Sequence, residues 1–168
     1  MENNLIGDVL AICKVFNKHS VEYLIVGGTA VALHGYFRRS INTSGMPTEK
    51  PDLDFWYNPT YDNYFRLLNA LEELGQDVSE FREEKMPNPK QSFFKYDLER
   101  FTLDLLPTLK APLKFGLSYS KRETVSLEEI DITFISYNDL ILDKETDPRP
   151  KDLSDISELK KNSPQKKG

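Results

Sequence analysis

The sequence predicts an α/β fold of the α+β kind: a mixed β-sheet flanked by helices, with a short helical segment at its C-terminal end. Three observations carry this expectation. Short runs rich in β-branched and aromatic residues recur at 21–26, 52–57, 101–106 and 130–135, as strands packed into a core require. Between them lie stretches whose apolar residues return every three or four positions, the spacing of helices with one buried face. The chain of 168 residues is also the length of one ordinary domain and can bury a core without disulfides. A single domain over 1–161 and a polar tail over 162–168 are therefore expected.

Residues 4–19 place Leu5, Ile6, Val9, Leu10, Ile12, Cys13 and Phe16 at helical spacings, so a first helix buries one face and ends near His19 and Ser20. The apolar run 21–26 reads as a strand, closed by Gly27 and Gly28 and followed by the helix-compatible stretch 29–34. That is strand, tight turn, helix. Turn formers and polar residues dominate 38–51, which predicts a loop with little to bury. Pro51 disfavours helix before it, and the residues at 52–57, Asp, Leu, Asp, Phe, Trp and Tyr, suit a second strand.

Asn58, Pro59 and Thr60 form a helix start, after which Phe65, Leu67, Leu68, Leu71 and Leu74 recur at helical spacing and Gly75 supplies a stop. The polar stretch 77–91, with Pro87 and Pro89, reads as a connection. Two strands follow at 92–96 and 101–106, the second carrying Asp104, and two shorter ones at 124–126 and 130–135. Ser136 begins a helix through Leu140 and Ile141. Pro148 and Pro150 interrupt it, and Leu153, Ile156 and Leu159 mark a last amphipathic helix over 151–161. The tail is expected to fray.

Composition narrows the classes. Hydrophobic residues make up 39% of the chain and charged residues 29%, with ten Phe and eight Tyr to fill a core. One cysteine, Cys13, excludes an internal disulfide or a multi-cysteine zinc site and fits a reducing compartment, with helix packing as its role. No apolar run approaches the roughly 20 residues that span a bilayer, and no signal-type segment opens the chain, so a cytoplasmic protein without membrane association is expected. The formal charge of −5 argues against a broad nucleic-acid footprint but leaves room for a local basic cleft.

In a strand, residues i and i+2 point to one face, so Asp52 and Asp54 present their carboxylates side by side, about 6 to 7 Å apart at the backbone. Like charges that close belong at a cation site or at a solvated edge. Leu53 and Phe55 would face the core, which makes the opposite face a rigid acidic platform. Gly27 and Gly28 put backbone N–H groups and the positive end of a helix dipole where a phosphate can approach, although a tight strand-to-helix turn needs the same residues. Asp104 lies in an otherwise apolar run, where an unpaired buried charge costs several kcal/mol. A divalent ion shared with Asp52 and Asp54 would compensate it, as would an ion pair with an arginine such as Arg100.

The order of these features resembles the DNA polymerase β superfamily of nucleotidyltransferases. A closer resemblance is to minimal bacterial nucleotidyltransferases of the abortive-infection and toxin type. Four stretches carry it: Val-Gly-Gly-Thr-Ala-Val-Ala-Leu-His-Gly-Tyr at 26–36, Arg38 or Arg39, Asp-Leu-Asp-Phe-Trp at 52–56, and Arg-Pro-Lys-Asp-Leu-Ser-Asp-Ile at 149–156. The likeness spans about residues 20–160. It implies a nucleotidyltransferase platform, with Asp52, Asp54 and Asp104 as catalytic ligands of Mg²⁺ or Mn²⁺ and Gly27, Gly28 and Thr29 near the triphosphate. Arg38 or Arg39 would take the family's arginine place. Residues 140–144 resemble a lysine-bearing helix of the family, implying that Lys144 neutralises triphosphate charge with Lys151 and Asp152 nearby; a solvated charged helix is the alternative. The 24 positions from Gly28 to Asp52 are more than usual in this branch, as if 40–50 were inserted.

The implied activity is transfer of a nucleoside monophosphate from an NTP to an acceptor hydroxyl, with Asp104 on the ion nearest the acceptor. An RNA such as a tRNA end, or a protein, is the expected acceptor, in a toxin–antitoxin or phage-defence setting with a cognate partner protein. A catalytically silent nucleotide-binding or antitoxin-type module keeps the same fold and is the rival reading. A purely structural interaction domain is a third.

Overall fold

The computed structural model describes residues 2–36 and 50–162. The loop expected at 38–51 therefore falls outside the described residues up to position 49, and with it Arg38 and Arg39. So does the tail from residue 163 onward.

Helix α1 (Glu2–Lys18) buries Val9, Ile12, Cys13 and Phe16 and ends where Ser20 takes a left-handed φ of 59°. The Val21 N–H then donates to the Phe16 carbonyl at 2.9 Å. Burial pushes the Cys13 thiol up to about 12, so this cysteine packs and does not react. Strand β1 (Tyr23–Val26) is buried at every position, which its uninterrupted apolar sequence requires of a central strand. Helix α2 (Gly27–Tyr36) follows with no intervening residue. Its His34 is buried, with Nε2 2.9 Å from the Ile135 carbonyl oxygen, a structural role.

Strand β2 (Asp52–Tyr57) buries Leu53 and Phe55, as its alternation implies, and Trp56 and Tyr57 as well. Helix α3 (Tyr61–Glu73) is capped by Thr60, whose hydroxyl accepts the Asn63 N–H. It stops at Gly75, with φ +89°. The buried Asn63 accepts the Glu22 N–H and donates to the carbonyls of Glu22 and Asn58. Its side-chain amide thus pins α3 to the start of β1 at no cost in unsatisfied groups.

The expected connection at 77–91 contains a helical turn, α4 (Ser79–Arg82), and a 3₁₀ turn at Pro89–Gln91. Neither is long enough to show periodicity. Strands β3 (Phe94–Asp97) and β4 (Thr102–Leu106) follow, then helix α5 (Phe115–Ser120), which buries only Phe115 and Ser118 and so leaves no apolar repeat in the sequence. Strands β5 (Glu123–Leu127) and β6 (Ile130–Phe134) form a hairpin. Helix α6 (Tyr137–Glu145) is capped by Ser136. Helix α7 (Pro150–Asn162) takes Pro150 as its first residue, a place where the missing N–H is not needed.

The six strands form one mixed sheet in the order β3-β4-β2-β1-β6-β5. Pairing is parallel between β1 and β6 and between β2 and β4, and antiparallel elsewhere. One face packs on α1 and α3, where the rings of Phe16, Tyr23 and Phe55 meet edge to face or tilted. Alternation sends Asp54 and Trp56 to the other face, where Trp56 meets Phe115 of α5. Helices α2, α6 and α7 contact one another. Among the described residues no helix is long and apolar enough to cross a membrane.

Candidate active site

The parallel pairing of β2 with β4 sets Asp54 directly opposite Asp104. On its other side Asp54 pairs with Val26, the last residue of β1, so its carboxylate lies over the turn into α2. Gly27 makes that turn with φ +69°, and a Cβ placed there would overlap Asp54 Oδ2 and lie 3.2 Å from its Cγ. Glycine is thus required twice, by conformation and by space.

Burial raises the Asp54 carboxyl to about 7; the Asp104 charge and a hydrogen bond shared with Asp104 add to this, then the Asp52 charge, while Lys144 works against it. A carboxyl taken out of water beside other negative charges resists ionisation, which is why that of Asp54 is raised. Lys95 of β3, opposite Asp104 in register, donates to Asp104 Oδ1 at 3.3 Å. The arginine suggested for this role, Arg100, pairs with Asp8 of α1 instead. The strand register decides this, since cross-strand neighbours share a face and Arg100 lies outside the ladder.

Thr29 is buried, its hydroxyl 3.5 Å from the Asp52 carbonyl oxygen, and fastens the first turn of α2 to the start of β2. Gly28 is exposed, and a Cβ on it would meet nothing within 4 Å. The N-terminus of α2 therefore opens to solvent beside the carboxylates.

A second charged cluster lies between α6 and α7. Lys144 and Asp152 are 4% and 1% exposed. Lys144 donates to Asp152 at 3.3 Å and to Asp155 at 2.9 Å. Asp152 also accepts from Lys110 at 3.0 Å and from the Arg149 backbone N–H and guanidinium. These bonds hold its carboxyl far below the usual carboxylate range. The cluster's field reaches the sheet: Lys144 partly offsets the rise of the Asp54 carboxyl, and the Arg149 guanidinium, raised chiefly by its hydrogen bond to Asp152, is raised a little further by Asp54. Lys151, on the same helix, is exposed. Lys110 had no sequence signal, being a lone lysine in a loop 42 positions from its partner.

The donors are hard oxygens, which suit Mg²⁺ or Mn²⁺, and a divalent ion would relieve the repulsion that Asp104 and Asp52 exert on Asp54. Among the described residues, no three His, Cys, Asp or Glu side chains are gathered into a ready-made ion cage. Asp52, exposed at the start of β2, is set on the same face by strand alternation.

No protein-family model matches the chain, and no curated protein matches it either. Solved structures do. The lincosamide antibiotic adenylyltransferase LnuA, in its lincomycin-bound form, superposes with a TM-score of 0.60 at 19% identity, over 97% of this chain and 98% of that one. An antigenic nucleotidyltransferase-like protein from Paracoccidioides brasiliensis superposes with a TM-score of 0.51 at 14% identity, over 91% and 73%. The fold is that of the nucleotidyltransferases. In this nucleotidyltransferase fold the chain brings together Gly27, Asp54 and Asp104, and Lys144 and Arg149 interact with Asp54 through their charge.

Proposed function

We propose that the chain is a divalent-cation-dependent nucleotidyltransferase that moves a nucleoside monophosphate from an NTP to an acceptor hydroxyl. One observation carries the reading: Asp54 and Asp104 meet on adjacent parallel strands, directly over the glycine turn that opens α2. A turn that only glycine can make, kept clear for a carboxylate, and that carboxylate raised by burial and by a second one, are features with no evident use in a structural protein.

The backbone at the exposed Gly28 and the dipole of α2 favour the triphosphate. Lys144 and Arg149 add positive charge from the α6–α7 side, and Asp152, with both oxygens occupied, orients these cations rather than touching phosphate. Mg²⁺ or Mn²⁺, held by Asp52, Asp54 and Asp104, would neutralise phosphate charge and lower the pKa of the acceptor hydroxyl. The acceptor oxygen then bonds to the α-phosphorus, the bond to the bridging α–β oxygen breaks, and pyrophosphate leaves with the electron pair. The hydroxyl proton passes to solvent or a neighbouring carboxylate.

For the acceptor, a small molecule ranks ahead of an RNA end or a protein. LnuA, whose described ligand is lincomycin, matches this chain over nearly the whole length of both, and the net charge of −5 offers no broad nucleic-acid footprint. A toxin–antitoxin or phage-defence setting, with a cognate partner, rests on the sequence resemblance alone. A second reading, a silent nucleotide-binding module, draws on Lys95, whose ammonium stands on Asp104 where a cation would bind.

Incubation with each labelled NTP, Mg²⁺ or Mn²⁺, and pools of hydroxylated small molecules, RNA and protein tests the proposal. Label transfer is expected from the wild type and a loss of at least 100-fold from Asp52→Ala/Asp54→Ala. Equal labelling by the variant would refute the catalytic assignment. NTP binding without transfer to any pool would favour the silent module.

A further inference from the structure

A cavity of about 600 Å³ opens on the α3–α4 face of the sheet, between α3, α4, the segment 84–93 and β3. Phe81 and Tyr96 form its apolar floor, and Met86 and Phe93 line it while remaining 85% and 56% exposed. Side chains of that size left in water at one concave place mark a surface that another molecule covers.

The cavity reaches the open edge of the sheet. β3 is the last strand on that side, and Lys95 lines the cavity together with Tyr96 although successive strand residues point to opposite faces. The Leu98 N–H donates to the Phe101 carbonyl at 2.9 Å, and the register continues through Tyr96↔Leu103 and Phe94↔Leu105. Antiparallel bonding alternates, so the N–H and C=O groups of Lys95 and Asp97 turn outward, away from β4. Among the described residues no strand pairs with them. Lysine side chains ordinarily guard such an edge. Here Lys95 is turned back to Asp104, and Lys50 to Asp97 and the Leu98 carbonyl.

Charge selects the occupant. Asp77, Glu80 and Glu84 line the cavity against one ammonium, that of Lys95, which Asp104 already engages. Arg82, between the two glutamates in sequence, is turned to Glu72 and Asn69. Three carboxylates repel an RNA backbone, and two copies of the chain paired edge to edge would bring two such clusters together. Lysine and arginine are attracted.

We infer that this edge docks an extended, basic segment of a partner protein, which adds a strand to β3, seats an apolar side chain beside Met86 and Phe93, and sets lysine or arginine against Asp77, Glu80 and Glu84. The inference is independent of the proposed nucleotidyl transfer. Fluorescence anisotropy on the full chain tests it with a labelled peptide, Thr-Arg-Thr-Phe-Thr-Arg-Thr, whose alternation puts Arg, Phe and Arg on one face, and with its counterpart carrying Glu for Arg. The basic peptide is expected to bind at least tenfold more tightly than the acidic one. Glu80→Gln/Glu84→Gln should erase that preference, and Phe93→Ala should weaken the basic peptide; all three positions are exposed, so an unchanged Tm is expected. Backbone pairing is read from two further peptides, N-methylated either at the Thr residues or at Arg and Phe. Only one of these sets turns its N–H groups to β3, so one form should keep its binding and the other lose at least tenfold. No binding of the basic peptide, equal binding of basic and acidic peptides, a preference that survives the double glutamine change, or equal binding of the two N-methylated forms would overturn the inference. So would displacement of the peptide by a short oligoribonucleotide, or a stable dimer of the free chain that the peptide fails to dissociate.

Discussion

Asp54 is confined by Gly27 on one side and Asp104 on the other, and its chemistry follows from both neighbours. Because its carboxyl is raised from 3.8 to about 7, the native chain keeps a proton that the unfolded chain has released between about pH 4 and pH 7. Stability from this group therefore falls as pH rises through that window. Asp54→Asn should leave Tm near that of the wild type at pH 4.5 and raise it at pH 8, by an amount equivalent to about 1 to 2 kcal/mol after screening. An equal change at both pH values would show that Asp54 carries no such strain. The two glycines make a second contrast. Gly27→Ala forces a side chain into a left-handed backbone and into Asp54, so a loss of about 1 to 3 kcal/mol is expected, with nucleotidyl transfer reduced at least 100-fold. Gly28→Ala meets open space and should melt with the wild type. Indistinguishable melting curves for the two variants would contradict this geometry. The tight strand-to-helix turn at the Gly-Gly pair was legible in the sequence, but the different demands on its two glycines were not, because spacing along a chain does not tell which Cα the neighbouring strand will approach.

The hairpin of α6 and α7 is organised around one carboxylate. Asp152 accepts from Lys110, Lys144 and Arg149 while only 1% exposed, so Asp152→Ala strands a buried ammonium with Asp155 as its remaining partner. Removing one member of such a pair costs about 3 to 5 kcal/mol. Urea unfolding should show a loss of that size, and the KM for NTP should rise more than kcat falls, since Lys144 and Arg149 are left unoriented. A loss below about 1 kcal/mol would place Asp152 on the surface in solution. The charges of this segment were visible as a motif, yet Lys151 and Asp152 look equivalent in sequence. A helix turns about 100° per residue, which here sends Asp152 inward and Lys151 to solvent. For α4 and α5 the turns are too short for any pattern to emerge.

Across the whole molecule, the adjacency of β2 and β4 decides the site. The sequence by itself determined the α+β class, nearly every strand and long helix, and the strand positions of the three aspartates after the glycine turn, because period-2 and period-3.6 burial and turn chemistry are written locally. Tertiary structure alone decided that Asp54 meets Asp104 across a parallel register, that Lys95 rather than Arg100 sits on Asp104, that Lys110 joins Asp152, and that a carboxylate-rimmed cavity forms at the β3 edge. Each of these joins residues distant in sequence or facing apart within one strand. Strand order, register and the direction of side chains around a helix bring them together, and no local pattern encodes those long-range choices.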